Sequence, residues 1–291
     1  MRSVRALALL LAVAGLPLLT ACADGRKAEK KAKGPEKADR AGKDAGDFAH
    51  VGDVNAEVTV LNVLHTLEPT AGQLEKLLEL SARTMQKPPP RKLVKVSARF
   101  RTTLAGLRDA LVEGDDEKVE GLFNKLDELR QKEDPELDEV EITDAAREAA
   151  PGLLRRLSAR QVANYVASVA DFPDPVERLT QTMEQSRKLR GKEWQGLRDD
   201  SAYQVGWLVA GLDADLEEKV RDKATALLNR AYRLDEKDYA KQRGELEKQA
   251  RALAGKLGPT DVIRHFMERV LAETLSNHRL AAAIEARQKR K

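Results

Sequence analysis

Leu93, Val96, Phe100, Leu104, Leu107 and Leu111 advance by three or four residues at each step, with arginine and aspartate among the positions between them. A strand alternates its faces every second residue, so this spacing gathers all six on one helical stripe. Similar stripes recur along the chain: Leu74, Leu77, Leu78 and Met85; Val119, Leu122, Phe123, Leu126 and Leu129; Leu216, Val220, Ala224, Leu227 and Ala231; Ile263, Phe266, Met267, Val270, Leu271 and Leu275. Aromatic residues make up 4% of the 291 positions and charged residues 34%. That balance suits solvated helices joined along aliphatic seams better than a β-sandwich. The expected fold class is all-α, with antiparallel helical hairpins forming one or two bundles.

Turn chemistry divides the stripes. Asn55 is a candidate cap for a first helix carrying Val60, Leu61, Leu64 and Leu67, although Val58-Thr59-Val60 also admits a short strand. Pro69 and Pro88-Pro89-Pro90 break the chain, and Thr70-Ala71-Gly72-Gln73 has the letters of a capping box. Gly114-Asp115-Asp116 ends one helix and caps the next. The acidic, proline-containing stretch Glu133 to Glu141 is the expected domain boundary, giving helical subdomains over 48–133 and 141–291. Within the second, Pro151 starts a new turn or kinks a helix, Ser158 repeats the capping pattern, Asp174-Pro175 starts a helix, and Asp213 or Asp215 caps another. Gly258-Pro259-Thr260 introduces a final helix ending in Arg287, Lys289, Arg290 and Lys291, cations that complement its carbonyl end.

The first 21 residues have another character. Arg2 and Arg5 precede an apolar run from Ala6 to Leu19, with small residues before Cys22, which is the order of a secretory signal. The run is shorter than the ~20 residues needed to span a bilayer and is interrupted by Gly15 and Pro17. Leu19-Thr20-Ala21-Cys22 resembles the lipobox of bacterial lipoproteins. The resemblance implies removal of residues 1–21, acyl chains on Cys22 as the only covalent cofactor, export, and a lipid bilayer as partner. In two-membrane bacteria an aspartate directly after the cysteine resembles an inner-membrane retention signal; Ala23 stands there, so the outer membrane is favoured. Cys22 is the chain's only cysteine; once lipidated, it leaves no disulfide, thiol nucleophile or cysteine-bound zinc. Residues 22–47 mix both charge signs with glycine and proline and lack large apolar side chains, as expected of a disordered charged tether.

The formal net charge is +3. Removing Arg2 and Arg5 leaves 3 − 2 = +1, which gives no case for a nucleic-acid partner. Gly-rich phosphate loops, Gly-x-Ser-x-Gly and His-Glu-x-x-His are absent from the sequence, so no catalytic or cofactor-binding residue is assigned. Four histidines occur, His50, His65, His265 and His278. His65 with Glu68 and His265 with Glu268 place imidazole and carboxylate one helical turn apart, making these four the candidate metal ligands. Trp207 sits beside Leu208 off the main seam, where it either covers a helix crossing or lies exposed as a candidate groove residue.

Two helix starts, Thr70-Ala71-Gly72-Gln73 and Leu157-Ser158-Ala159-Arg160-Gln161, resemble the Leu-Thr-x-x-Gln motifs of small periplasmic helical proteins of the Spy and CpxP type. Pro69 replaces the leucine of the first motif and Ser158 the threonine of the second. The resemblance implies a helical envelope protein with interaction duties and transfers no site residue. The expected function is a membrane-anchored, non-enzymatic binding, scaffolding or chaperone-like module with an envelope protein as partner. Its alternatives are a metal-binding or metal-responsive protein, and an enzyme using carboxylates that the sequence does not single out.

Overall fold

The computed structural model describes residues 51–90, 94–137, 140–169 and 174–289. Cys22 and the expected tether, together with Phe48, His50, Leu93, Arg290 and Lys291, lie outside the described residues. Among the described residues there are twelve α-helices and no strand: α1 Val51–Leu67, α2 Ala71–Thr84, α3 Ala98–Glu113, α4 Asp116–Glu133, α5 Asp144–Leu154, α6 Ala159–Ser168, α7 Pro175–Gln185, α8 Gly191–Ala210, α9 Ala214–Arg233, α10 Glu236–Ala254, α11 Pro259–Ser276 and α12 Leu280–Gln288. The all-α class and its helical hairpins are as expected.

Side-chain caps mark most helix starts. Thr70, Ser97, Asp115, Thr143, Ser158, Asp174, Asp213 and Asp235 each accept a hydrogen bond from a backbone N–H two or three residues ahead. Each bond satisfies a donor that the first helical turn leaves without an intrahelical acceptor. Asp213 therefore caps α9, and Asp215 falls in its first turn. Gly114 ends α3 at φ 70°, a left-handed conformation that glycine adopts without Cβ strain. Pro151 lies inside α5.

α1 bears out the first helix and corrects its start. Residues 58–60 are helical, as preferred over the short strand they also admit, while Asn55 is inside the helix, where its side chain accepts from Arg130 Nη2 at 2.7 Å. Nine residues of α1 are buried, including Val60, Leu61 and Leu64. A helix this apolar is stable only with neighbours on several sides, and α3, α6, α11 and α12 all pack on it.

Two apolar clusters form. Helices α1 to α6, with the returning α11 and α12, enclose one around Leu61, Phe100, Leu104, Leu107 and Leu271. Helices α7 to α10 enclose the other around Leu179, Met183, Trp194, Val220, Leu228 and Leu246. The 20-residue α8 enters both, with Ala202 and Val205 in the second and Trp207 and Leu208 in the first. Four helices from beyond residue 141 thus pack with α1 to α4. Near that point Thr143 Oγ1 donates to Thr84 O at 2.7 Å and Thr143 N to Ser276 Oγ at 3.0 Å. Gln86 N donates to Ser276 O at 2.8 Å. The last turn of α2, the start of α5 and the end of α11 therefore meet at one node.

The single final helix expected after Gly258 is instead α11 and α12, broken at Asn277-His278-Arg279. Asn277 Oδ1 accepts from Arg279 N at 2.9 Å, while its Nδ2 donates to Ala56 O at 3.0 Å. Such local side-chain bonds compete with helix continuation. His278 Nε2 lies 3.1 Å from Asp53 Oδ1, and Arg279 Nη2 donates to Glu57 Oε2 at 2.7 Å. Glu57, only 2% exposed, also accepts from Arg108 Nε at 2.8 Å. One buried carboxylate thereby ties the α11–α12 corner and α3 to α1.

Candidate functional site

The two capping boxes singled out in the sequence meet in space. At the start of α2, Thr70 Oγ1 accepts from Gln73 N at 3.3 Å, and Gln73 Oε1 accepts from Thr70 N at 2.8 Å. At the start of α6, Ser158 Oγ accepts from Gln161 N at 3.2 Å, and Gln161 Oε1 accepts from Ser158 N at 2.9 Å. Each carboxamide then crosses to the other corner. Gln73 Nε2 donates to Arg156 O at 2.7 Å, and Gln161 Nε2 donates to Leu67 O at 3.0 Å. The two carboxamides also bond each other, Gln73 Nε2 to Gln161 Oε1 at 3.1 Å and Gln161 Nε2 to Gln73 Oε1 at 2.9 Å.

This near-reciprocal pairing follows from the chemistry of the side chain. A primary amide has one acceptor oxygen and two N–H donors, enough to cap its own helix and reach a second element. Beside the pair is a void of ≈ 10 Å³ whose lining includes Leu67, Pro69, Leu77, Leu157 and Leu271. A space of that size holds about one water molecule, so the node joins two helix corners rather than enclosing a small molecule. Gln73→Ala and Gln161→Ala, combined in a double-mutant cycle, are expected to show a coupling of about 0.5 to 1.5 kcal/mol in urea unfolding. Additive effects would show that each glutamine serves only its own helix.

A second polar constellation lies where α8, α9 and α11 meet. Arg269, 7% exposed, places Nη1 3.0 Å from Glu217 Oε2 and Nε 3.0 Å from Glu273 Oε1, and Nη2 donates to the Tyr203 hydroxyl. Its guanidinium lies over the rings of Tyr203 and Trp207, at 5.2 and 5.6 Å from their centroids. Burial opposes the arginine's charge, but Glu273, Tyr203 and Glu217 outweigh it and raise its pKa. The buried Tyr165 phenol is pushed up by desolvation and by Glu273, so it stays neutral. Arginine does not exchange protons near neutral pH, so Arg269 between Glu217 and Glu273 joins helices rather than relaying a proton between them. The sequence carried a signal for this site: Arg269 interrupts the stripe between Phe266 and Val270.

Trp207 belongs to the interior. It is 2% exposed, tilted against Phe266 at 6.0 Å between centroids and covered by Arg269. The indole has no open face to offer a groove. Its place off the seam reflects the crossing of α8 with α11, which needs apolar cover on that side.

The candidate metal ligands have separate neighbours. His65 Nε2 is 3.3 Å from Asp116 Oδ1, and Arg287 and Glu68 are the other charges acting on the ring. His265 Nδ1 lies 2.8 Å from Leu208 O, its ring packs on Gly211, and Arg264 is at 3.4 Å from Nε2. Glu268 is half-buried. Among the described residues no group of three or more His, Cys, Asp or Glu is placed to hold a metal ion.

Burial lowers the pKa of His65 below 6.5 despite Asp116, whose side chain is 84% exposed and correspondingly screened. Between the lowered value and 6.5 the unfolded chain binds more protons than the folded one, so this group's contribution is present above 6.5 and is lost as pH falls. His65→Gln is expected to flatten the decline of Tm below about pH 6.5. An unchanged slope in thermal melts would place that decline on other groups.

No protein-family model, curated protein or solved structure matches this chain. No helix among the described residues is long and apolar enough to cross a membrane.

Proposed function

We propose that the protein is an exported lipoprotein, held to a bacterial membrane by acyl chains on Cys22, whose helical part binds another envelope protein without catalysing a reaction. The observation that carries this reading is the paired helix starts at Thr70 and Ser158. Gln73 and Gln161 bond each other across 88 residues of chain, and the same residues resemble the glutamine motifs of periplasmic helical proteins with interaction duties. Leu19-Thr20-Ala21-Cys22 supplies the address, and Ala23 after the cysteine favours the outer membrane. The charged stretch 23–47 separates the helices from the anchor, as a recognition module near a bilayer requires.

Crosslinking in intact cells tests it, using the full lipoprotein and a soluble form starting at Phe48. The same partner captured by both is the expected result, with recognition in the helices and location in Cys22. A reproducible lack of specific capture by either form would contradict the binding role.

A further inference from the structure

We infer that the turn between α7 and α8 is a second membrane contact, which lays one end of the α7–α10 unit on an anionic phospholipid surface. The inference rests on the lipoprotein reading above, since acyl chains on Cys22 would keep this end within reach of one bilayer.

Arg187-Lys188-Leu189-Arg190-Gly191-Lys192 has four cations in six residues and no carboxylate. The structure anchors this turn through the half-buried Arg187 and leaves its other three cations at the surface. Arg187 Nη1 donates to Leu234 O at 2.7 Å, closing the carbonyl end of α9, and its guanidinium lies 5.0 Å from the Tyr239 ring centroid. Arg190 Nη1 donates to Leu189 O at 2.6 Å and reaches Arg187 O at 3.3 Å, with its guanidinium 5.9 Å from the Tyr232 ring centroid. Tyr232 in turn stacks on Trp194 at 4.7 Å and 11°. Both arginines are thus positioned by carbonyl oxygens and rings; the helix-end carbonyls offset part of the charge of Arg187, while Arg190 keeps its own at the surface. Lys188, Arg190 and Lys192 are exposed.

Neighbouring acids do not reverse the excess. Arg243 is shared by Glu184 at 2.7 Å and Glu247 at 2.9 Å, which leaves one negative charge near Tyr239, and Asp235 accepts from Asp238 N as the cap of α10. The adjoining α9–α10 turn sets Arg233 and Lys237 against Asp235 and Glu236, Asp238 is paired with Lys241 at 3.3 Å, and Glu193 removes one of the four charges of the α7–α8 turn. The remaining positive face is rimmed by the half-buried Leu189, Tyr232 and Tyr239. Cations beside amphipathic aromatic rings are the composition that settles at an anionic headgroup layer.

The test places the full-length lipidated protein on vesicles of phosphatidylcholine alone and of phosphatidylcholine mixed with phosphatidylglycerol. Flotation reports the anchor, and the acetylation rates of Lys188 and Lys192, read by mass spectrometry against Lys219 on α9, report the contact. The expected result is flotation with both vesicles and, with phosphatidylglycerol only, acetylation of Lys188 and Lys192 slowed about threefold or more, an effect removed by high salt. Flotation with both vesicles and equal lysine rates would overturn the docking while leaving the anchor in place, as would protection that is the same on both. Flotation only with phosphatidylglycerol, with both lysines protected, would support the docking and remove the anchor. No flotation with either would overturn both. Protection by a soluble anionic wall polymer but not by phosphatidylglycerol would overturn the assignment to lipid.

Discussion

Replacing Arg108 and Arg279 together by alanine lowers the unfolding free energy by about 3 to 5 kcal/mol, the range for a buried charge stripped of its partners. Glu57 sits on α1, nine of whose residues are buried, its side chain 3% exposed, and its two oxygens are taken by those two arginines at 2.8 and 2.7 Å. The arginine side chains are themselves 34% exposed. They lose less on separation, because water reaches them when the carboxylate is gone. The cost is therefore asymmetric: removing both cations strands a buried anion, whereas Glu57→Gln in the same background removes the charge that needs them. The triple variant is expected to recover much of the loss in urea denaturation. If the double variant melts like the parent chain, Glu57 is not held as a buried anion and the clamp between α1 and the α11–α12 corner has no energetic weight.

Gly211→Ala is expected to cost about 2 to 4 kcal/mol, combining backbone strain with a lost hydrogen bond. α8 ends at Gly211 with φ 64° and ψ −119°, a conformation that side-chain-bearing residues rarely adopt. An added Cβ would also stand 3.0 Å from Cδ2 and 3.1 Å from Cγ of His265. That ring is held by the bond between its Nδ1 and Leu208 O at 2.8 Å, so moving it away breaks a tie between α8 and α11. Repeating the substitution in a His265→Ala background separates the two causes. The steric part disappears there, and the φ strain of about 1 to 3 kcal/mol remains. A change below about 0.5 kcal/mol in the parent background would show that the α8–α9 turn adapts to a side chain.

Much of this fold was legible because its signals are local. Thr70, Asp115, Ser158 and Asp174 each precede an apolar stripe, and each caps the helix expected of it. Long-range packing was not legible on the same terms. The stripe of α11 shows which face is buried but not that it returns to α1, α2 and α5, because several aliphatic seams in the chain are chemically alike. The break at Asn277 was missed for a related reason: its local bond from Arg279 N is a common turn contact, and the bonds that fix the corner in place reach Asp53, Ala56 and Glu57, more than 200 residues away in sequence.

The candidate sites divide in the same way. Both glutamine boxes could be read from four or five letters, but their mutual contact depends on how two helix corners pack. His65 and Glu68 share one turn, yet the charges that act on His65 also come from Asp116 and Arg287 on other helices. A one-turn spacing says nothing about those. Trp207 admits two readings from sequence, a helix crossing or a groove, since its position relative to one helix's seam does not report the second helix that covers it.

The proposed attachment of these helices to a membrane through Cys22 is read from the mass of the mature protein's N-terminal peptide. The expected peptide begins at Cys22 and carries the added mass of two or three acyl chains. A peptide that retains residues 1–21, or one with an unmodified Cys22 thiol, would contradict that attachment.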